Sequence, residues 1–304
     1  MNNELKEHYQ AGQYSTDSGM KLFYVSRGRG NKVVLLPGLL ATSYSFRKVM
    51  AILGENYQAI SLDWPGTGFS DKPLHPYSHR YLATVLADFL EEIAGDEQVH
   101  LVCHGYAGPI AFLMLNQYPE KVKSIVMVSS YLNLKKISFP FPIQLLRIPF
   151  LGRWLSYLFF PGLIRLFFNL FLHSSERPMS QSTSEDYYQL LFSGERKLNT
   201  ADMCRYIDRT VHAQRDMETG IKKMVGLRQI IIGAHDRNEK ADQTEYLMQI
   251  TRLSQVQIVE TGRMAMEEAP LSLAKKIEPI LASFNRHKNK KTLGLKPWIS
   301  SQQK

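Results

Sequence analysis

Apolar positions follow two rhythms along this chain. Lys32–Leu36, Ala59–Leu62, Val99–Val102, Ser124–Val128, Arg228–Ile232 and Val256–Val259 are short apolar runs. This is the pattern of strands buried on both faces. Between them, apolar residues recur at helical spacing. In His79–Ala94 the stripe is Leu82, Val85, Leu86, Phe89, Leu90 and Ile93, stopped by Gly95. Similar patterns predict helices over Pro109–Tyr118, Asp242–Leu253 and Glu267–Phe284. Residues 13–28 read as a β-hairpin turning at Asp17-Ser18-Gly19. Strands alternating with helices imply an α/β fold with a mainly parallel sheet covered on both faces.

The alternation stops between Leu132 and about Lys223. This stretch is helical in pattern and punctuated by proline. Its start, Ile137 to Leu172, is rich in Phe and Leu and holds no acidic residue. A membrane span needs ~20 mostly apolar residues without charge, and Arg147, Arg153, Arg165, Pro149 and Pro161 break every window here. The stretch is read as a helical lid inserted over the sheet. Its arginines and aromatics, with Lys135 and Lys136, also suit a peripheral contact with a membrane interface.

The length of 304 residues allows one large α/β domain with an insertion. Cys103 and Cys204 are the only cysteines, which implies no disulfide framework and a reducing, cytoplasmic setting. The polar N-terminus has no apolar segment of the kind a signal peptide requires. The net charge is +9, and Arg286, Lys288, Lys290, Lys291, Lys296 and Lys304 supply six of those charges in a segment without acids. Residues 286–304 are expected to form a solvated, disordered tail that could add to membrane contact. No groove-reading or base-stacking motif accompanies it, so nucleic acid is not expected as a partner. No His, Cys, Asp or Glu set has metal-ligand spacing, and neither a metal nor a cofactor is expected.

The candidate chemistry lies at Cys103-His104-Gly105-Tyr106-Ala107. An apolar strand runs into a small-residue turn and then a helix. This is the context of a nucleophile elbow, where a sharp turn lifts one side chain into a pocket. The slot for that side chain holds Gly105.

Four further segments extend the pattern in order: Leu35–Tyr44, Asp63–Pro73, Gly233–Arg237 and Gly262–Pro270. With the elbow and its Gly108-Pro109-Ile110-Ala111 helix start, the chain resembles the α/β-hydrolase fold. It is most similar to the capped branch that includes epoxide hydrolases and haloalkane dehalogenases. The resemblance implies an eight-stranded, mainly parallel sheet flanked by helices, with a core of 1–131 and 224–285 and a cap over 132–223. It places Gly105 at the nucleophile, Asp236 at the acid and Arg263 at the histidine. Glycine cannot attack, and arginine stays protonated and cannot serve as a general base.

Cys103 lies two positions early and is expected to be buried and inert. His104 is expected to be structural and to point away from the attack site, and Ser43 and Tyr44 to pack or cap. His235, beside Asp236, is a candidate displaced base. The backbone amides of Leu39 and Tyr106, with Leu40 beside them, are expected to form an oxyanion hole, as the resemblance implies. Arg263 and Asp236 are expected to form an ion pair. The reading that follows is a protein without conventional triad chemistry that binds a hydrophobic or carboxylate-bearing small molecule, or a protein partner. An active hydrolase or lyase with relocated residues is one alternative, and a peripheral membrane scaffold is the other.

Overall fold

The computed structural model describes residues 2–16, 19–73, 76–137, 139–194, 196–205 and 210–293. Eight strands form one sheet: β1 (Gly12–Ser15), β2 (Leu22–Arg27), β3 (Lys32–Leu36), β4 (Gln58–Leu62), β5 (Val99–His104), β6 (Val122–Val128), β7 (Leu227–Gly233) and β8 (Gln257–Val259). Their order is β1-β2-β4-β3-β5-β6-β7-β8. The β1–β2 and β2–β4 pairings are antiparallel and the rest are parallel. All residues of β5 and β6 are buried, which is why these strands read as continuous apolar runs.

The helices are α1 (Asn3–Gln10), α2 (Arg47–Leu53), α3 (His79–Ala94), α4 (Ala107–Gln117), α5 (Phe141–Leu146), α6 (Leu151–Leu155), α7 (Pro161–Phe171), α8 (Gln181–Leu191), α9 (Arg196–Arg205), α10 (Val211–Lys223), α11 (Ala241–Thr251), α12 (Ala265–Glu268) and α13 (Pro270–Leu293). The bounds of α3 follow from its ends. The Ser78 side chain accepts from the Tyr81 amide, and Gly95 closes the helix at φ +53°. Two apolar layers cover the sheet, one on each face.

Several expectations need correction. The helix expected over Glu267–Phe284 is two helices, α12 and α13, with Ala269 at φ −145° between them. Pro270 disfavours helical backbone in the residue before it. Helices α1 and α2 lack a predicted counterpart because each is short, eight and seven residues. The last helix of the 132–223 stretch, α10, packs along α4: a Cβ on Gly220 would lie 1.9 Å from the Phe112 carbonyl oxygen. It belongs to the layer over the sheet, so the inserted cap ends before it. Helix α13 continues to Leu293, past the boundary set at 285. Residues 294–304 of the basic tail, and Asp17 and Ser18 of the hairpin turn, lie outside the described residues.

A buried polar cluster clasps the cap to the core. Arg47 of α2 pairs with Glu267 of α12, their side chains 5% and 4% exposed. The Tyr187 hydroxyl of α8 lies 3.0 Å from Glu267 and 2.9 Å from the Ser45 hydroxyl. The Tyr44 hydroxyl donates to Asp186 of α8 at 2.7 Å, and Arg47 also pairs with Glu4 of α1 at 2.8 Å. Removing one partner of a buried pair costs about 3–5 kcal/mol, whereas replacing both costs less. Glu267→Ala is therefore expected to lower unfolding stability by about 3 kcal/mol in urea titration, and Arg47→Met with Glu267→Met to lower it less.

Candidate functional site

Strand β5 ends at His104, the chain turns at Gly105, and α4 starts at Ala107. Gly105 has φ +48°, a left-handed backbone that glycine adopts without a Cβ clash. Its amide donates to the Val128 carbonyl at 2.9 Å, and its carbonyl accepts from the Gly108 amide at 3.1 Å. The turn is thus locked to β6 and to the first turn of α4. A Cβ on Gly105 would lie 3.3 Å from Arg263 Nη2 and 3.8 Å from its Nε.

Arg263 sits on the loop after β8. Its amide donates to the Leu172 carbonyl at 2.7 Å, at the end of α7. The neighbouring Gly262 amide donates to Glu268 at 3.0 Å, and the same carboxylate oxygen accepts from the Ser174 amide at 2.9 Å. The guanidinium is held like a fork. Nη1 reaches Asp236 Oδ2 at 3.0 Å, and Nη2 donates to the Ser129 carbonyl at 2.8 Å. The Asp236 side chain is fully buried and that of Arg263 is 17% exposed. The other Asp236 oxygen accepts from the Asn238 amide at 2.9 Å. The expected ion pair is therefore present. Ser129 has φ +44°, a conformation that costs a non-glycine residue about 1–2 kcal/mol, and its carbonyl holds the arginine.

Gly105 and Arg263 lie on the floor of a cavity with about 790 Å³ of empty space, part of it open to solvent. Leu39, Leu40 and Tyr106 line the same floor. The Leu39 and Tyr106 amides donate to no protein acceptor among the described residues. Leu40 takes φ +60°, so the loop after β3 turns sharply beneath the cavity. The Tyr106 ring points the other way, and its hydroxyl donates to the Tyr77 carbonyl at 3.1 Å. Ile137, Phe139, Ile143, Phe167 and Leu172 form apolar walls, while Lys136, Asn238, Glu239, Lys240 and Gln243 add polar groups. Burial is the main influence on the Glu239 carboxyl and pushes its pKa up, although Thr244 and Arg263 pull the other way. Periodicity gave no signal for this polar wall. Its cue was adjacency, because Asn238, Glu239 and Lys240 follow Asp236 in one loop.

The remaining candidates are placed as follows. Cys103 is fully buried in the layer beneath α3 and α4, and burial pushes its thiol up, away from the reactive thiolate. His104 is among the residues lining the cavity, and its buried imidazole packs against Gly38. Its Nε2 lies 3.1 Å from the Arg263 carbonyl, which can only accept, so Nε2 carries the proton. Burial, followed by the Arg263 charge, pushes His104 down to about 3, so it stays neutral and structural. His235 turns outward to Glu260 at 3.3 Å, with its side chain 49% exposed, and is no displaced base at this cavity. Ser43 does join a serine–histidine–aspartate set, 2.9 Å from His8 Nε2 and with its amide 2.7 Å from Asp63. All three are buried and none lines the cavity, so this set is structural. Among the described residues, no group of three or more His, Cys, Asp or Glu could hold a metal ion.

A family model described as the α/β-hydrolase fold matches residues 31–270. A soluble epoxide hydrolase of Corynebacterium is 28% identical over 147 residues, 48% of this chain and 48% of that protein. A cis-3-alkyl-4-alkyloxetan-2-one decarboxylase of Shewanella oneidensis is 30% identical over 116 residues, 37% of this chain and 36% of that protein. The chain thus spans about half, or less, of the length of these two curated relatives. An uncharacterized hydrolase of Bacillus subtilis is 30% identical over 220 residues, 70% of this chain and 76% of that protein. The haloalkane dehalogenase DbeA from Bradyrhizobium elkani superposes with a TM-score of 0.77 at 15% identity, over 91% of this chain and 99% of that one.

Two measurements check the site. Asp236→Ala strands a guanidinium that is mostly buried, and is expected to lower stability by about 3 kcal/mol in denaturant titration. The histidine prediction concerns pH. His104 titrates near 6.5 when unfolded and about 3 when folded. Between those values the unfolded chain binds a proton that the folded chain excludes, so stability falls as pH drops from 6.5 towards 3. His104→Gln should flatten that dependence by up to about 1.4 kcal/mol per pH unit, read from urea midpoints between neutral pH and about pH 5.

Proposed function

Because the chain belongs to the α/β-hydrolase fold family, whose chemistry uses a nucleophile, an acid and a histidine, we propose that this member binds a ligand without triad hydrolysis. One observation carries the reading. The Arg263 guanidinium is paired to Asp236 and lies 3.3 Å from where a side chain on Gly105 would begin. In this reading Gly105 occupies the nucleophile position, Arg263 the histidine position, and Asp236 is the retained acid. The bond-making atom and the proton shuttle are both absent, while the acid now neutralises a permanent cation.

What remains suits recognition. Leu39 and Tyr106, whose backbone amides have no protein acceptor among the described residues, line the space beside a guanidinium whose fork uses only part of its donor set. Arginine has five N–H groups, and the two protein acceptors take one hydrogen bond each. Convergent donors under apolar walls fit an amphiphile with a carbonyl or carboxylate head and a hydrocarbon tail. A hydrogen bond to a charged group contributes roughly 1.5–3 kcal/mol, enough for the arginine to decide affinity.

A second reading is favoured by one specific feature. Glu239 lines the cavity, and its carboxyl is pushed up by burial. A raised carboxyl beside free amide donors is the equipment of an active hydrolase with relocated residues. The relatives named hydrolases above support that branch.

The decisive experiment is a panel of esters, epoxides and haloalkanes with the wild type, the Glu239→Gln variant and a Gly105→Ser/Arg263→His double variant. Wild-type inactivity and weak double-variant turnover are the expected results. A Gly105→Ser change alone should stay inactive, because its Cβ meets Arg263 and no base is present. Wild-type turnover abolished by Glu239→Gln would establish the second reading. In parallel, a fluorescent fatty acid should titrate the wild type to saturation at one site. Replacing Arg263 by Met together with Asp236 by Asn should weaken that binding about tenfold or more.

A further inference from the structure

We infer that the outward face of the cap, from α5 to α7, docks on an anionic lipid bilayer. Phe141, Phe150, Trp154, Tyr157, Phe160 and Leu166 are 67, 88, 67, 58, 56 and 54% exposed. Six large apolar side chains lie bare within about one tenth of the chain, and an apolar cluster of this kind marks an interaction surface. Helix α7 explains its composition poorly if that face meets water. Ile164, Phe167 and Phe168 already satisfy the inner face, yet Leu166 and Leu170 stand outside. A helix at a water boundary carries polar residues there.

The charges on this face select its occupant. Residues 137–172 contain Arg147, Arg153 and Arg165 and no acid. Arg147 lies over the Phe139 ring at 5.1 Å, and Arg165 Nε donates to the Met179 carbonyl at 3.1 Å. Arg153 approaches Asp202 of α9 at 3.6 Å, and Lys136, just before the cap helices, pairs with Asp242 at 2.8 Å. Two of these cations are met by carboxylates of the protein, whereas Arg165, held by a neutral carbonyl, keeps its positive charge beside exposed aromatic rings. This combination matches an interface with anionic headgroups, where rings sit at headgroup depth. A second copy of the chain would set this basic face against itself.

The geometry is that of a helix pair lying in the interface. The segments Leu151–Leu158 and Pro161–Phe171 meet at a bend of 108°. Eight and eleven residues of helix reach about 12 and 16 Å, short of the ~30 Å hydrocarbon core. No single helix among the described residues is long and apolar enough to cross a membrane. Phe150, with φ +62°, precedes α6 and carries its ring furthest into the open.

The test is co-sedimentation of the full chain with vesicles of phosphatidylcholine containing about one third phosphatidylglycerol. Phe150→Glu/Trp154→Glu changes two exposed residues, and Val211→Glu/Val225→Glu, at 44% and 99% exposed positions away from α5 to α7, adds the same two charges as the matched control. The wild type and the control should bind alike, and the double variant roughly tenfold less. Three results would overturn the inference. The wild type could ignore the vesicles. The double variant could bind as the wild type does, which would assign adhesion to the basic C-terminal segment. Light scattering could reveal a wild-type dimer that the double variant dissociates, which would assign the face to a second copy.

Discussion

A guanidinium placed beneath a protein cap must be given acceptors, because an arginine does not shed its proton to escape burial. At Arg263 that requirement organises its surroundings. Asp236 supplies the countercharge from the loop after β7, and the Ser129 carbonyl supplies a second acceptor from the end of β6. Ser129 sits at positive φ while doing so. The arginine backbone is fixed in turn by the Leu172 carbonyl at the close of α7, so the charge, two strand ends and the cap are tied at one point. Glycine at the apex of the β5 turn leaves room for this arrangement.

The same geometry separates recognition from bond-making in the proposed reading. Backbone amides are laid down by the fold itself and survive changes of side chain, so in that reading those of Leu39 and Tyr106 remain available whatever occupies positions 105 and 263. A nucleophile and its base are side chains, and one replacement removes either. The apolar walls include Ile143 of α5 and Phe167 of α7, helices that also carry the exposed Phe141, Leu166 and Leu170. A hydrocarbon-tailed ligand and a lipid surface would thus meet the same two helices.

Much of this was readable from the residues, for identifiable reasons. Strands β3, β5 and β6 are buried on both faces, so their sequences are unbroken apolar runs. Helix α3 announces itself through its apolar stripe and the stop at Gly95, while its Ser78 cap emerged only in the structure. The Arg263–Asp236 pair followed from charge alone once the two loops were placed together. Helix α1 was hidden because only Leu5 and His8 of its eight residues are buried, too few for a periodicity. The assignment of α10 to the sheet layer depends on Gly220 approaching the α4 backbone, a contact between segments a hundred residues apart. The partners of His104 were not legible because they come from distant segments, the Arg263 carbonyl and the bare Gly38, whose Cβ would lie 2.6 Å from the imidazole Nδ1. Glu239 escaped notice because loop residues carry no rhythm.

The clasp of Arg47, Glu267, Tyr187, Tyr44 and Asp186 has a kinetic corollary. It joins α1, α2, α8 and α12 in one buried set of charges and hydroxyls, and each would have to be rehydrated before α8 could lift. Rehydration of several coupled polar groups is slow compared with diffusion of a small molecule to the opening. Helix α8 contributes no residue to the lining of the space above Gly105, part of which is open to solvent, so a small molecule can exchange there while the clasp stays closed.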